Sequence, residues 1–142
     1  MSNTENSSNR AKNTGLSPEE IQRLILLAAQ NQTTRADKTL QICDQVISAL
    51  KSAPPLSDAL HEQLAEIYLI QGNTYQNLCD HQNALQAILY SLEEVRTGKN
   101  SLAVGDRLVL IAKIHTHLKN YSEALSEIYR ALEIAQRNED RF

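Results

Sequence analysis

Two stretches decide the fold: DHQNALQAILYSL at residues 80–92 and NYSEALSEIYRAL at residues 120–132. Laid over one another at an offset of forty residues, Asn83-Ala84-Leu85 matches Glu123-Ala124-Leu125, and Ser91-Leu92 matches Ala131-Leu132. Upstream, Ala49-Leu50 precedes Ser91-Leu92 by forty-two residues. Self-similarity at such a period marks stacked supersecondary units, each of which buries its apolar face only against a neighbour.

The surrounding composition sets the type of unit. The chain has 142 residues, 42% of them hydrophobic, with no Trp, one Phe, four Gly and three Pro. Ala, Leu, Gln and Glu dominate, and all favour helix. Val/Ile-rich strand runs and Gly-rich turns, the marks of an α/β enzyme, are missing. The fold class is therefore all-α.

Punctuation divides the chain into six helices. Met1 to Gly15 is Ser/Asn-rich, with too little apolar surface to offset the entropy of ordering, and reads as a disordered tail. Ser17-Pro18-Glu19-Glu20 then gives a cap, a first-turn Pro and two acids before an apolar run. Helix one is expected to reach Gln30, and helix two to run from Arg35 to Ser52, closed by Pro54-Pro55. Helix three is expected from Ser57 to Leu78, and helix four from an Asp80 cap to Arg96. The loop Thr97-Gly98-Lys99-Asn100 follows, then helix five over Leu102 to Leu118 and helix six over Tyr121 to Arg137 behind an Asn120 cap. Short breaks pair these into hairpins at about 17–54, 57–97 and 101–138.

These residues resemble the tetratricopeptide (TPR) repeat family. In the second hairpin Tyr68, Gly72, Tyr75, Asp80, Ala84 and Leu92 stand at the spacing of that family's signature. In the third, Asn120-Tyr121, Ala124, Ile128 and Ala131-Leu132 fit its second half, and in the first only Ala49-Leu50 and Pro54 match. The resemblance covers Leu16 to Phe142 and implies a right-handed α-α superhelix, a TPR-like solenoid of three hairpins. Its logic is steric: small residues sit where two helices cross closely. Gly72 inside a helix costs ~1 kcal/mol relative to Ala, so close approach of the fourth helix is expected there, with Ala84 and Ala124 as the matching small residues. Cys79 stands where the family often has Gly, and Ala112 replaces the helix Gly in the third unit.

The resemblance also implies a concave groove lined by the first helix of each hairpin, holding a peptide or a partner helix. The groove face of helix three carries Glu66, Leu69, Asn73, Gln76 and Asn77, and that of helix five Asp106, Val109, Lys113, Thr116 and His117. Asn73/Gln76/Asn77 and Lys113/Thr116/His117 are i, i+3, i+4 sets, so each clusters on one face. Amides bond a peptide backbone as both donor and acceptor. The plain alternative is a solvated helix face. A clamp of several cations on a C-terminal carboxylate is not expected, because only Asn73 and Lys113 suit it and Leu27 stands where the first unit would need a cation.

Other chemistries lack their residues. His115 and His117 point about 200° apart on a helix and form no chelate, and His115 reads as a core histidine. His61 and His81 have no Cys or carboxylate at a ligand spacing, and Glu19-Glu20 and Glu93-Glu94 read as solvated faces. No phosphate loop or nucleophile elbow occurs, so neither an enzyme nor a cofactor or metal is expected. The net charge is −3 with no basic cluster, which disfavours nucleic acid. No apolar run is long enough for a membrane span or a signal peptide, and a cytoplasmic location is expected, with Cys43 and Cys79 as buried free thiols.

The leading expectation is a non-enzymatic protein- or peptide-interaction module. The resemblance implies the N-terminal regulatory or sensing region of a larger bacterial signalling protein, for example one with a GGDEF diguanylate cyclase output. A free-standing chaperone or adaptor and a sensor of a short signalling peptide are the alternatives. Glu139-Asp140-Arg141-Phe142 resembles Gly105-Asp106-Arg107-Leu108 thirty-four residues on, which suggests the start of a further repeat at 139–142. On helix six an apolar arc of about 160°, widened by Ile134, suggests a face prepared for a neighbour, with self-association through the C-terminal hairpin as one way to cover it.

Overall fold

The computed structural model describes residues 16–52, 58–98 and 101–139, and these are helical apart from short turns. α1 spans Pro18–Asn31, α2 Ala36–Lys51, α3 Asp58–Asn77, α4 His81–Thr97, α5 Ser101–His117 and α6 Tyr121–Glu139. The all-α expectation holds, with no strand among the described residues. The N-terminal tail, Pro54-Pro55 with Ser57, and Lys99-Asn100 lie outside the described residues. Glu139 closes α6, and residues 140–142 of the suggested further repeat also lie outside.

Local chemistry explains where the helices start and stop. Glu20 N–H donates to Ser17 Oγ at 3.2 Å, and Pro18, Glu19 and Glu20 fill the first turn of α1, where a missing N–H is harmless and negative charge meets the positive end of the helix dipole. Asp80 caps α4 by accepting from Asn83 N–H at 3.3 Å and Asn83 Nδ2 at 2.7 Å. α3 and α5 end in the same way. Cys79 has φ 58° and Lys119 φ 64°, forty residues apart. Cys79 N–H donates to Gln76 O and Asp80 N–H to Tyr75 O, both at 2.9 Å, while Lys119 N–H donates to Thr116 O at 3.0 Å and Asn120 N–H to His115 O at 2.7 Å. A left-handed residue with this pair of bonds satisfies the last carbonyls of a helix and turns the chain sharply. Cys79 is therefore exposed, in contrast to the expectation of burial, because it sits in the turn beyond the apolar stripe of α3.

Consecutive helices pack against one another, and α1 also touches α3. The core forms two clusters that share α3. One joins Ile21, Ile25 and Ala28 of α1 to Ile42, Cys43, Val46 and Leu50 of α2 and to Leu64, Ile67 and Tyr68 of α3. The other joins Ala65 of α3 to Ala84, Ile88, Leu92 and Val95 of α4 and to Leu108, Ile111 and Ile114 of α5, with Ala131 and Ile134 of α6 against it. A Cβ on Gly72 would lie 2.7 Å from Ile88 Cγ1 and 3.4 Å from Ala84 O, so the expected close approach of α4 is real. Ala84, Ala112 and Ala124 are all buried.

α6 departs from its expected pattern at one position. Ile134, read as widening the open arc, instead packs on the α5 side, 3.9 Å from where a Cβ on Gly105 would stand. The outward face is the narrower stripe of Tyr121, Leu125, Ile128, Tyr129 and Leu132, each more than 40% exposed. Ile134 lies about 180° from Leu125 at 100° per residue, which accounts for its inward placement.

Two measurements check this packing. Gly72→Leu forces bulk into the α3–α4 crossing and should cost about 1–3 kcal/mol in urea unfolding, part of it recovered by adding Ile88→Ala. Burial, aided by the neighbouring Asp44 charge, pushes the Cys43 thiol up to about 12, so it stays protonated and unreactive through the neutral range. Titration of the reduced protein with a thiol-specific disulfide reagent at pH 8 should give one fast thiol, Cys79, and release the second only on unfolding.

Candidate functional site

Four of the six residues picked out in the sequence, Asn73, Gln76, Asn77 and Lys113, meet in an open cleft of about 280 Å³. Asn73, Gln76 and Asn77 line it from the last turns of α3, Leu110 and Lys113 from α5, and Gln32 and Thr33 from the turn after α1. These elements come together because the turn after α1 lies beside the end of α3, where Asn77 Nδ2 donates to Gln32 O at 3.1 Å. The cleft is mostly polar, with Leu110 as its apolar wall and Lys113 as its cation. Gln32 Oε1 is buried and has no hydrogen-bond partner among the described residues. Neither Gln32 nor Thr33 was among the residues selected from the sequence, since their turn lies in the hairpin that matches the repeat pattern least.

The remaining selected residues lie elsewhere. Thr116 is exposed and turns its hydroxyl back onto its own helix, donating to Ala112 O at 2.9 Å. His117, the last residue of α5, stacks on His81, the first residue of α4, with ring centroids 4.7 Å apart and planes 3° from parallel. His81 Nδ1 is buried without a hydrogen-bond partner among the described residues. Of the wider groove faces, Asp106 and Val109 are exposed, Leu69 is partly buried against the second cluster, and Glu66 belongs to another cleft.

That second cleft, of about 250 Å³, lies between α3, α4 and α5 and is lined by His61, Glu62, Glu66, Glu94 and Arg107, among others. His61 Nδ1 stands 2.5 Å from Glu94 Oε2. Glu94 is thus partly buried and partnered, unlike the solvated acid expected of it, while its neighbour Glu93 is exposed. Arg107 Nε donates to Ser91 Oγ at 2.8 Å, and the Ser91 hydroxyl donates to Ala65 O at 2.7 Å. Burial lowers the Arg107 pKa from its usual value, opposed by Asp106 and Glu66. The hydrogen-bonded chain ties three helices through a wholly buried serine. His115, read as a core histidine, is half-buried, with Nδ1 3.4 Å from Asn120 Nδ2.

These pairings escaped the sequence because the partners stand far apart in it, yet one contact would have found two of them. Gly72 beside Ala84 fixes the antiparallel register of α3 and α4. Seven residues along both helices lie Ala65 and Ser91, and three or four farther lie His61 and Glu94.

No family model matches the chain, and neither does any curated protein or solved structure. No group of three or more His, Cys, Asp or Glu that could hold a metal occurs among the described residues, and no helix there is long and apolar enough to cross a membrane.

The serine link separates a mere spacer from a working hydroxyl. Ser91→Ala keeps the small side chain that the repeat pattern asks for but strips Arg107 Nε of its partner. It should cost about 1–3 kcal/mol, the range for orphaning a buried donor. Urea unfolding of this variant and of Ser91→Ala/Arg107→Leu measures the coupling.

Proposed function

We propose that this chain is a protein-interaction module, a TPR-like right-handed stack of three hairpins that holds an extended segment of another protein in the cleft between the α1–α2 turn, α3 and α5. The convergence of Gln32, Asn73, Gln76, Asn77 and Lys113 on that one cleft carries the reading. The stack itself is supported by the matching left-handed turns at Cys79 and Lys119 and by the small residues Gly72, Ala84, Ala112 and Ala124 at buried positions.

The chemistry of the lining defines what fits. The four amides of Gln32, Asn73, Gln76 and Asn77 offer both donors and acceptors, which suits the alternating N–H and C=O groups of an extended backbone. A single lysine gives a preference for a segment with an acidic residue, without the several cations that a carboxylate clamp requires. An unpaired buried acceptor costs about 1–3 kcal/mol, and a backbone N–H of the bound segment would relieve that cost at Gln32 Oε1.

Selection of displayed random peptides on the whole chain tests this reading. A selected peptide should bind at least tenfold more weakly to Asn73→Ala/Asn77→Ala/Lys113→Ala in calorimetry, with the helical circular dichroism unchanged, as expected for substitutions at exposed or half-exposed sites. Equal affinity for the triple variant would remove the cleft from the mechanism.

A further inference from the structure

We propose that the outer stripe of α6 is a self-association surface on which a second copy of the chain packs antiparallel about a twofold axis between Leu125 and Ile128. Tyr121, Leu125, Ile128, Tyr129 and Leu132 are 59%, 54%, 41%, 65% and 52% exposed. Five large apolar side chains on one face of one helix make a patch on the order of 500 Å², at the upper end of what a monomer normally shows to water. The inner face of the same helix is already used: Ala124 is buried, and Ala131 and Ile134 pack toward α5. α6 is thus a two-faced helix with one face partnered.

Three properties of the stripe select a second copy as the occupant. The first is spacing. Tyr121, Leu125, Ile128 and Leu132 follow intervals of four, three and four, the alternation by which one helix seats its side chains between those of another. The second is symmetry. That series reads the same in both directions, so an antiparallel copy sets Tyr121 against Leu132 and Leu125 against Ile128, each contact occurring twice, as an isologous twofold interface demands.

The third is charge. At 100° per residue the stripe and its borders over residues 121–137 take in Ser122, Ala135 and Gln136, while Glu123, Glu127, Arg130, Glu133 and Arg137 fall outside it. Glu139, at the end of α6, returns to the angle of Tyr121 but in the antiparallel register lies beyond the first residue of the other copy's α6. Arg130 moreover answers Glu127 on its own helix at 3.2 Å. Within the overlap of the two helices, centred between Leu125 and Ile128, the stripe therefore brings no like charges together. Two such patches together bury about 1,000 Å² or somewhat more, the lower limit for a specific interface, so the dimer is expected to be weak.

The surface lies apart from the amide-lined cleft, so the proposal stands or falls independently of peptide binding. Sedimentation equilibrium of the whole chain from about 5 to 500 µM, under reducing conditions that keep exposed Cys79 from bridging two copies, should give a monomer–dimer equilibrium with no larger species. Leu125→Lys and Ile128→Glu should each weaken the dimer at least tenfold, and the double variant L125K/I128E should recover it, since the antiparallel register sets the two new charges against each other across the axis. Leu26→Glu, at a side chain 58% exposed on α1, and the triple cleft variant should both leave the dimer unchanged. Circular dichroism checks that each variant folds; Leu132→Glu replaces either single variant that does not. A monomer at 500 µM overturns the proposal, even if the stripe then captures a foreign helix or lipid vesicles. Open-ended growth, a dimer indifferent to the stripe variants, or one lost with the Leu26 or cleft variants overturns it as well.

Discussion

At Gly72 the backbone of α3 comes so close to α4 that one added carbon would collide with Ile88. The close approach brings Ile88 and Ala84 under α3 and fixes how far each helix slides along the other. Everything paired across these two helices inherits that register: the Ser91 hydroxyl under Ala65 O, and His61 facing Glu94. Arg107 then anchors α5 to the same point through Ser91. A loss at Gly72 would be felt at the second cleft, three turns away, without touching any of its lining residues.

The turns matter as much as the crossings. Holding Cys79 and Lys119 at positive φ costs each about 1–2 kcal/mol relative to glycine's free access to that region. The return is a reversal completed within three residues, so that α4 and α6 start directly beside the ends of α3 and α5. Asn73, Gln76 and Asn77, in the closing turns of α3 just before the first of these turns, line the amide-rich cleft.

Much of this was legible in the residues. The helix-favouring composition, the caps at Ser17 and Asp80, and the small residues at 72 and 84 gave the helices and their order, because each acts through neighbours within a turn or through bare size. Asn73, Gln76 and Asn77 were found as one set and Lys113 in another because a helix face is a local property, and the resemblance put both faces on one groove. Gln32, Thr33, the histidine stack and the Arg107 link were not, since they depend on where separate helices end relative to one another. His117 was misplaced for the same reason: its i+4 relation to Lys113 is sound, but the helix stops there and the ring turns to His81. Ile134 shows the limit of an apolar arc, which counts greasy positions without saying which of two opposite faces each one serves.

α3 is the partition between the two clusters, with Leu64, Ile67 and Tyr68 turned one way and Ala65 the other. Order therefore propagates through a shared wall, as in a one-dimensional lattice whose middle site belongs to both neighbours. The α1–α2 pair has that wall on one side only, so it can melt as a separate unit and leave the α3–α6 half standing with an apolar flank bared. The reverse is not open to the chain: when α3 lets go, both halves lose their floor together. Amide exchange in such an arrangement is graded by distance from α3, not by distance from the ends of the chain.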